Sequence, residues 1–320
     1  MEEPLISFII TYYEQPVSMV CECIESILAL SLQPSDRQII LIDDGSAINP
    51  SNDLQRYEND IIYIRKANGG VSTARNMALQ MATGIFVQFV DADDMLVKVP
   101  YEHCIEQARL SGTDMVMFDF CHSTDEKTAI TDRGAMSGTE LMRSQNIRGS
   151  VCCYLFRQSI RKDILFTPGI TYGEDEEFTA QLLLRAESLH ITSAKAYLYR
   201  NNATSITNRQ NKRSIIRRLS DTRTVISRLH LFSDRIPIND RLSLQRRIAQ
   251  LTMDYIYNII RLTGSRHYLE RKIEGLRKEG LFPLPDKGYT VKYSIFRRLT
   301  KHSSGLKLLM RIIPLMNKER

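Results

Sequence analysis

The chain has 320 residues, 43% of them hydrophobic, which is enough apolar material for one large domain or two. No apolar run approaches the roughly 18 residues of a membrane-spanning helix, and the acidic start Met1–Pro4 is unlike a signal peptide. The six cysteines have the spacing of neither a zinc site nor a disulfide framework. We therefore expect a cytoplasmic protein with reduced thiols.

The charge is distributed unevenly along the chain. Residues 209–320 contain 26 Lys and Arg and 9 Asp and Glu, a net charge of +17, whereas residues 1–208 contain 17 and 28, a net charge of −11. Such asymmetry indicates two regions with different partners. We predict one domain over residues 1–208 and a basic, helical region over residues 209–320.

The first half of the chain alternates strands with helices. Short apolar runs predict strands, and apolar residues at helical spacing predict helices. In chain order the pattern is a strand at 5–11, a helix at 16–30, strands at 38–42 and 61–65, a Gly-Gly turn followed by a helix at 68–82, a strand at 85–90, a helix at 100–110 and a strand at 115–120. This order predicts an α/β fold with an open, mostly parallel sheet and helices on both faces.

The rest of the chain is less regular. We predict a short helix at 138–144, a strand at 151–156, a helix that opens at 171–178 and a late strand at 194–199. After residue 209, two amphipathic helices are the simplest interpretation. Pro283 and Pro285 break this pattern, and the tail 293–320 then combines apolar residues with Lys and Arg.

Three carboxylates, Asp91, Asp93 and Asp94, follow the apolar run 85–90. Like charges at close range raise each other's pKa and repel. A divalent cation removes this cost, and hard oxygen ligands suit Mg²⁺ or Mn²⁺. One interpretation is therefore a metal site at Asp91 and Asp93 that holds a diphosphate. The other is a solvated turn in which Asp94 caps the next helix.

Polar clusters also follow the first two predicted strands, and a loop of small residues precedes the helix that contains Arg75. In open α/β sheets, ligands bind beyond the carboxyl ends of the strands, and a helix N-terminus favours an anion. Asp43 or Asp44 could accept hydrogen bonds from a base or ribose, and Tyr12 could stack on a base. For each cluster taken singly, turn and capping chemistry is the favoured explanation. Three polar clusters on one edge of the sheet, together with Arg75, shift the balance toward a ligand site.

Five segments in order carry a resemblance to a known family. They are SFIITYY at 7–13, IDDGS at 42–46, NGGVSTARN at 68–76, FVDADD at 89–94 and GED at 173–175. Together they resemble the family-2 inverting glycosyltransferases of the GT-A fold, of the type that acts in bacterial surface-polysaccharide synthesis. Each segment alone is a weak signal, but the five in order are a strong one. The resemblance covers about residues 5–205 and does not extend to 209–320.

The resemblance implies a pocket for a nucleotide-sugar donor, with a UDP-sugar favoured. Thr11, Tyr12 and Asp43 would line the pocket for the base and ribose, and Arg75 would contact the nucleotide. Tyr13 departs from the family, which usually has a small polar residue at this position. Contacts with the base or sugar can therefore differ there.

The resemblance also implies the chemistry of the site. Asp93, helped by Asp91, would bind the Mn²⁺ or Mg²⁺ that bridges the donor diphosphate, and Asp175 would be the catalytic base. The chain has no Trp and so lacks the Gln-x-x-Arg-Trp signature of processive synthases. The implied enzyme is a metal-dependent, inverting hexosyltransferase that moves one sugar to a glycan or a lipid-linked glycan.

Alternatives to this function stay open. The chain could be a non-catalytic protein of the same fold that binds a nucleotide sugar or a glycan. Nucleic-acid binding through the basic half is a further alternative, but no recognised motif supports it, and we expect no nucleic-acid partner. An NAD-binding domain is disfavoured because no G-x-G-x-x-G follows the first strand.

If the chain is a glycosyltransferase, two of its segments have more than one interpretation. Tyr197–Arg200 together with Ser205 could close over the diphosphate or form an ordinary edge strand. The basic tail could pack on the catalytic domain, shape the acceptor site, or make peripheral contact with the inner face of an anionic membrane through residues 293–320.

Overall fold

The computed structural model describes residues 3–110, 112–124, 129–200 and 211–316. They fall into two compact units. The first comprises the described residues of Met1–Gly138 and Arg148–Ser205, and the second those of Thr139–Ile147 and Ile206–Arg320. The second unit thus takes in a short segment from the middle of the chain. Separate roles for 1–208 and 209–320 stay a prediction.

The described part of the first unit is built on one nine-stranded sheet in the order β3-β2-β1-β4-β8-β6-β9-β5, with β7 also paired to β9. The strands are β1 Ile6–Tyr12, β2 Arg37–Asp43, β3 Ile61–Arg65, β4 Phe86–Asp91, β5 Met95–Leu96, β6 Met115–Cys121, β7 Asp132–Met136, β8 Tyr154–Arg157 and β9 Leu189–Leu198. Strands β3, β2, β1 and β4 are parallel to one another, as predicted. Beyond β4 the sheet is mixed, because β8 is antiparallel to both β4 and β6.

Helices connect these strands. The helices that precede residue 200 are α1 Val17–Leu28, α2 Ser51–Leu54, α3 Val71–Met81, α4 Lys98–Arg109, α5 Gly138–Ser144, α6 Gln158–Arg161 and α7 Glu174–Arg185. The predicted α/β class is confirmed, and α1, α3, α4, α5 and α7 lie where the helical spacing placed them.

The core of the sheet follows from the apolar runs. In β1, Ile6, Phe8, Ile9 and Ile10 have no exposed surface, as expected for a strand that is buried on both faces. Next to β4, the rings of Phe166 and Phe178 are stacked 4.0 Å apart, and Phe89 meets both edge-on. Because Phe178 belongs to α7 and Phe89 to β4, this aromatic cluster holds the start of α7 beside the end of β4.

Three local features differ from the prediction. Strands β5 and β7 were missed because β5 has two residues and β7, with the sequence DRGAM, is largely exposed and lacks apolar alternation. Residues 151–153 form a 3₁₀ turn, and a strand follows only at Tyr154. All three residues of that turn are buried, so their apolar character reflects burial rather than strand geometry. All six cysteines lie in the described part of the chain, where each is a buried thiol outside any disulfide.

The second unit is helical. Its long helices are α8 Lys212–Ser233, α9 Ile238–Thr263, α10 Arg266–Lys278, α11 Val291–Thr300 and α12 Ser303–Met316. The side chains of Asn211, Ser265 and Thr290 cap α8, α10 and α11 by accepting backbone N–H groups in the first turn. The two predicted amphipathic helices are α8 and α9, and the tail forms the two helices α11 and α12. Among the described residues, no helix combines the length and apolarity needed to cross a membrane.

Two details fix the packing of this unit. The Arg143 Nε donates to Ser243 Oγ at 2.9 Å, and Arg246 donates to the carbonyl of Arg143, so the segment 139–147 is bound to α9. Gly305 lies against the carbonyl of Leu299, and a Cβ at this position would overlap that oxygen. The absence of a side chain at Gly305 therefore allows the close turn between α11 and α12.

Candidate active site

The carboxyl ends of three parallel strands meet at one edge of the sheet. Thr11 at the end of β1 is in register with Ile42 of β2 and with Asp91 of β4, and Tyr12 is in register with Asp43. The structure therefore brings together the strand ends that the sequence singled out. This edge is the usual place for a ligand in an open α/β sheet.

Arg75 is the centre of a charged cluster that also contains Asp91, Glu174 and Asp175, and that we call the Arg75 cluster. Arg75 lies in the second turn of α3 and is 4% exposed. Its Nη2 is 3.2 Å from Asp91 Oδ1, and its Nη1 is 2.5 Å from Asp175 Oδ1 and 3.2 Å from Glu174 Oε1. Burial opposes the charge, but the three carboxylates raise the pKa of Arg75 well above its ordinary value. The guanidinium is therefore a permanent cation between β4 and α7.

Asp175 is oriented from two sides. Its Oδ1 accepts from Arg75, and its Oδ2 accepts the backbone N–H of Val151 at 3.1 Å. Burial raises the pKa of Asp175 and Asp91 raises it further, while Arg75 and the Val151 amide act in the opposite direction. The carboxyl side chain is still 19% exposed. Asp175 is thus a fixed, reachable carboxylate whose proton affinity is above that of an ordinary aspartate.

Glu174, the neighbour of Asp175 at the start of α7, was not predicted as a site residue. Burial and the nearby Asp175 raise the pKa of Glu174 to about 8, although Arg75 lowers it. One cation cannot compensate three ionised carboxylates, so the cluster holds a proton near neutral pH. The sequence signal was present in the Glu-Asp pair, but only the structure shows that Glu174 shares the Arg75 guanidinium with Asp175.

The residues Asp91–Asp94, which we call the acidic turn, are held in place by β9. The hydroxyl of Tyr197 donates to Asp94 Oδ2 at 2.8 Å and accepts the backbone N–H of Asp91 at 3.0 Å. The backbone N–H of Arg200 donates to Asp94 Oδ1 at 2.9 Å, and its Nε donates to the carbonyl of Asp93. Burial, followed by the charge of Asp91, raises the pKa of Asp94 to about 8.

The acidic turn does not cap the following helix. The residue before α4 is Val97, whose side chain makes no capping hydrogen bond. The interpretation in which Asp94 caps α4 is therefore wrong, because Asp94 is turned inward to Tyr197. Residues 197 and 198 belong to strand β9. The interpretation of this segment as an edge strand is wrong, because β9 lies between β6 and β5 in the sheet. Ser205 lies outside the described residues.

The donor set of the acidic turn fits a metal that is completed by a substrate. Within the described residues, no group of three or more His, Cys, Asp and Glu could hold a metal ion alone. Asp91 is 37% exposed at its side chain and shares one oxygen with Arg75. Mg²⁺ is commonly bound by one or two carboxylates together with phosphate oxygens. Asp91 and Asp93 match that pattern, and their metal role stays a prediction.

Asp43 and Asp44 have different environments. Asp43 is buried, accepts the backbone N–H of Ser46 at 2.8 Å and the hydroxyl of Tyr63 at 3.2 Å, and has Arg65 at 3.4 Å. Its contact with a ribose stays a prediction.

Asp44 accepts the backbone N–H groups of Gly69 and Gly70 at 3.0 and 2.7 Å, and Lys66 Nζ at 2.5 Å. Asp44 therefore shapes the glycine turn before α3. From the sequence, Asp44 was predicted only as a possible hydrogen-bond acceptor for a base or ribose. No sequence pattern indicated this structural role.

The two tyrosines at the end of β1 differ in exposure. Tyr12 is 4% exposed, whereas Tyr13 is 45% exposed. Stacking of Tyr12 on a base stays a prediction, but the tyrosine whose ring is open to a ligand is Tyr13. Thr11 is half-buried beside them.

Comparison with solved structures identifies the fold. The crystal structure of S. aureus TarS 1–349 in complex with UDP-GlcNAc superposes with a TM-score of 0.55 at 16% identity, over 92% of this chain and 91% of that one. The mannosyltransferase PcManGT from Pyrobaculum calidifontis, in complex with GDP-Man and Mn²⁺, superposes with a TM-score of 0.58 at 11% identity, over 99% and 88%. At these identities the likeness concerns the fold, which is the GT-A α/β fold with a C-terminal helical region.

The family follows from the sequence match. Residues 7–165 match the family model described as Glycosyl transferase family 2. The chain therefore carries a glycosyltransferase family 2 domain, and the resemblance is confirmed. The uncharacterized glycosyltransferase EpsJ of Bacillus subtilis (strain 168) is 29% identical over 221 residues, which are 64% of this chain and 63% of EpsJ. The chain thus spans less than two thirds of that relative. Glu174 and Asp175 lie beyond the residues that match the family model.

Proposed function

We propose that the chain is a metal-dependent, inverting glycosyltransferase that moves one sugar from a nucleotide-diphosphate donor to a glycan or a lipid-linked glycan in cell-surface polysaccharide synthesis. The observation that carries the proposal is the Arg75 cluster, which joins the acidic turn of β4 to the carboxylates at the start of α7. A UDP-sugar is the favoured donor, since the TarS structure contains UDP-GlcNAc. PcManGT binds GDP-Man, so a GDP-sugar is the second donor to test.

Each predicted residue has one part in this proposal. Thr11, Tyr12 and Asp43 border the nucleoside, and Arg75 acts mainly on the carboxylates that surround it. Asp91 and Asp93 would hold Mn²⁺ or Mg²⁺ together with the donor phosphates. When bound, the metal would neutralise the charge that develops on the leaving diphosphate.

Asp175 is the proposed general base. The acceptor hydroxyl oxygen attacks the anomeric carbon as the bond from that carbon to the diphosphate oxygen breaks. The hydroxyl proton passes to Asp175, and the nucleoside diphosphate leaves with the electron pair. Burial raises the pKa of Asp175 toward the range in which a carboxylate is an efficient base. Arg75 and the Val151 amide fix the direction of the carboxylate.

The test is a thermal-shift panel of UDP- and GDP-sugars with Mn²⁺, Mg²⁺ or EDTA, followed by product analysis with the stabilising donor. A ligand that binds only the folded state raises the melting temperature. We expect a metal-dependent shift that is lost in Asp93→Ala and kept in the exposed control Asp53→Asn. Absence of a shift with every nucleotide sugar, with or without metal, would overturn the donor site.

A further inference from the structure

The last two helices carry an exposed apolar stripe that the proposed donor chemistry does not use. On α12, Leu308, Ile312 and Leu315 are 45%, 42% and 63% exposed. Their spacing of four and three residues places them on one side of the helix. On α11, Val291 and Ile295 are 78% and 55% exposed, four residues apart. We call these five residues together with the basic side chains beside them the tail face.

The same helices already have a buried apolar side. Leu309 and Ile313 of α12 are buried, as are Tyr293 and Phe296 of α11. Both helices pack on α9 and on each other. Packing within the unit is thus satisfied by the buried side. A globular helix needs no second apolar stripe in water, so the stripe indicates a surface that is covered by something else.

The charge of the tail face identifies the kind of partner. Residues 287–316 contain seven Lys and Arg and no Asp or Glu. Lys307 and Arg311 lie one turn apart and border the α12 stripe, and Arg298 lies one turn beyond Ile295 on α11; all three are exposed. An aliphatic stripe bordered by cations matches a surface of hydrocarbon under anionic headgroups.

Other partners fit this face less well. Two copies of the chain that met through it would bring like charges together, which opposes association. A nucleic acid would use the cations and aromatic rings that stack on bases, but the exposed apolar residues named above are all aliphatic. We infer that the tail face binds the surface of an anionic lipid bilayer, with its aliphatic side chains inserted at the level of the headgroups. This inference is independent of the donor site and goes beyond it.

The experiment is co-sedimentation of the full chain with vesicles of phosphatidylcholine alone or with about one third phosphatidylglycerol. Two double variants test the two parts of the face: Leu308→Ser with Leu315→Ser, and Lys307→Gln with Arg311→Gln. The matched controls are Ile216→Ser with Leu231→Ser on α8, and Arg261→Gln with Lys278→Gln at the ends of α9 and α10, all at exposed positions. Thermal melts and size-exclusion chromatography show whether each variant is folded and monodisperse.

We expect binding to the anionic vesicles and weak binding to phosphatidylcholine. The basic double variant should bind about 30-fold more weakly, from about fivefold for each lost charge. The aliphatic double variant should bind at least about tenfold more weakly, and both controls should bind like the parent chain. No vesicle binding, or binding that the tail variants leave unchanged, would overturn the inference. Loss of binding in the basic variant alone would show a simple polyanion site, and a parent dimer abolished by the aliphatic variant would show a second copy as the partner.

Discussion

Arg75 illustrates how a single side chain can determine the protonation of its neighbours. It is the shared partner of Asp91, Glu174 and Asp175, and it lies among the rings of Phe89 and Phe166 at 5.7 and 5.1 Å. The cluster would carry a net negative charge if every carboxyl were ionised, in a place that is largely shielded from water. Burial raises the pKa of Glu174, and the nearby charge of Asp175 raises it further, while Arg75 offsets only part of the shift.

Replacing Arg75 with Ala should be strongly destabilising. Three carboxylates would lose their common cation, and breaking a buried ion pair from one side costs about 3–5 kcal/mol. We expect a loss of that size in the free energy of unfolding, measured with urea at pH 7. If Arg75→Ala has the same free energy of unfolding as the parent chain, the Arg75 cluster does not stabilise the fold in the way proposed.

Replacing Asp175 with Asn should remove the base and leave the donor site intact. General base catalysis is worth about 10²–10⁴-fold, so kcat should fall by that factor while the thermal shift with donor and metal persists. The exposed control Asp163→Asn should retain the parent rate. Unchanged turnover in Asp175→Asn would exclude Asp175 as the base.

The raised pKa of Glu174 predicts a pH dependence of stability. The pKa of this carboxyl is about 8 in the folded protein against 4.5 as an ordinary value. Between these values the folded state binds more protons than the unfolded state, so stability falls as the pH rises from about 5 to 8. The contribution of Glu174 to the free energy of unfolding is fully present below pH 4.5. Between pH 4.5 and 8 it decreases by at most about 1.4 kcal/mol per pH unit, the value for one proton. Urea unfolding at several pH values should show this slope in addition to that of Asp94, whose pKa is also about 8. Glu174→Gln should remove one of the two contributions and reduce the slope by that amount.

At the scale of elements, the site depends on how loops are tied to neighbouring strands. The glycine turn before α3 is held by Asp44, which directly follows β2. The acidic turn at the end of β4 is held by Tyr197 of β9 and by Arg200, two residues beyond that strand. Gly45 has a φ of +78°, and a Cβ there would come within 2.8 Å of the backbone nitrogen of Asn68. The close approach of the loop after β2 to the segment that precedes α3 therefore requires glycine at position 45.

Asp44→Asn tests the tie between β2 and the glycine turn. The amide keeps the shape of the carboxyl, but it replaces one acceptor by a donor that faces N–H groups. We expect a loss of about 1.5–3 kcal/mol in unfolding free energy, as for hydrogen bonds to a charged group. Donor affinity should weaken as well, because the turn that precedes α3 is less ordered. The matched control is Asp53→Asn in α2, which is exposed. A parent-like affinity and stability in Asp44→Asn would contradict this role.

At the scale of the whole molecule, the two units carry separate activities in our proposals. The donor-site residues lie in the first unit, and the tail face lies in the second. Variants at sites with no shared partner usually act independently. We expect Asp93→Ala to bind anionic vesicles like the parent chain, and the aliphatic tail variant to keep the thermal shift with donor and metal. Measuring both properties in both variants separates a failure of the donor site from a failure of the lipid surface.

The sequence by itself determined the α/β class, the buried strands β1, β2 and β4, and the position of the acidic segments at strand ends. Local information is sufficient for these features, because a continuous apolar run such as Ile6–Ile10 is stable only when it is buried, and polar residues mark where burial ends. The five family segments also lie within short stretches, so their order could be recognised directly.

Only the tertiary structure decided which charges are partners. Arg75 contacts Asp91, Glu174 and Asp175, which lie 16, 99 and 100 residues away. Asp44 was predicted as a possible ligand but supports a backbone turn, and Asp94 was predicted as a possible cap but faces Tyr197. A carboxylate has the same chemistry in each of these roles. Its role depends on the donors that folding brings within about 3 Å, and those donors come from distant parts of the chain.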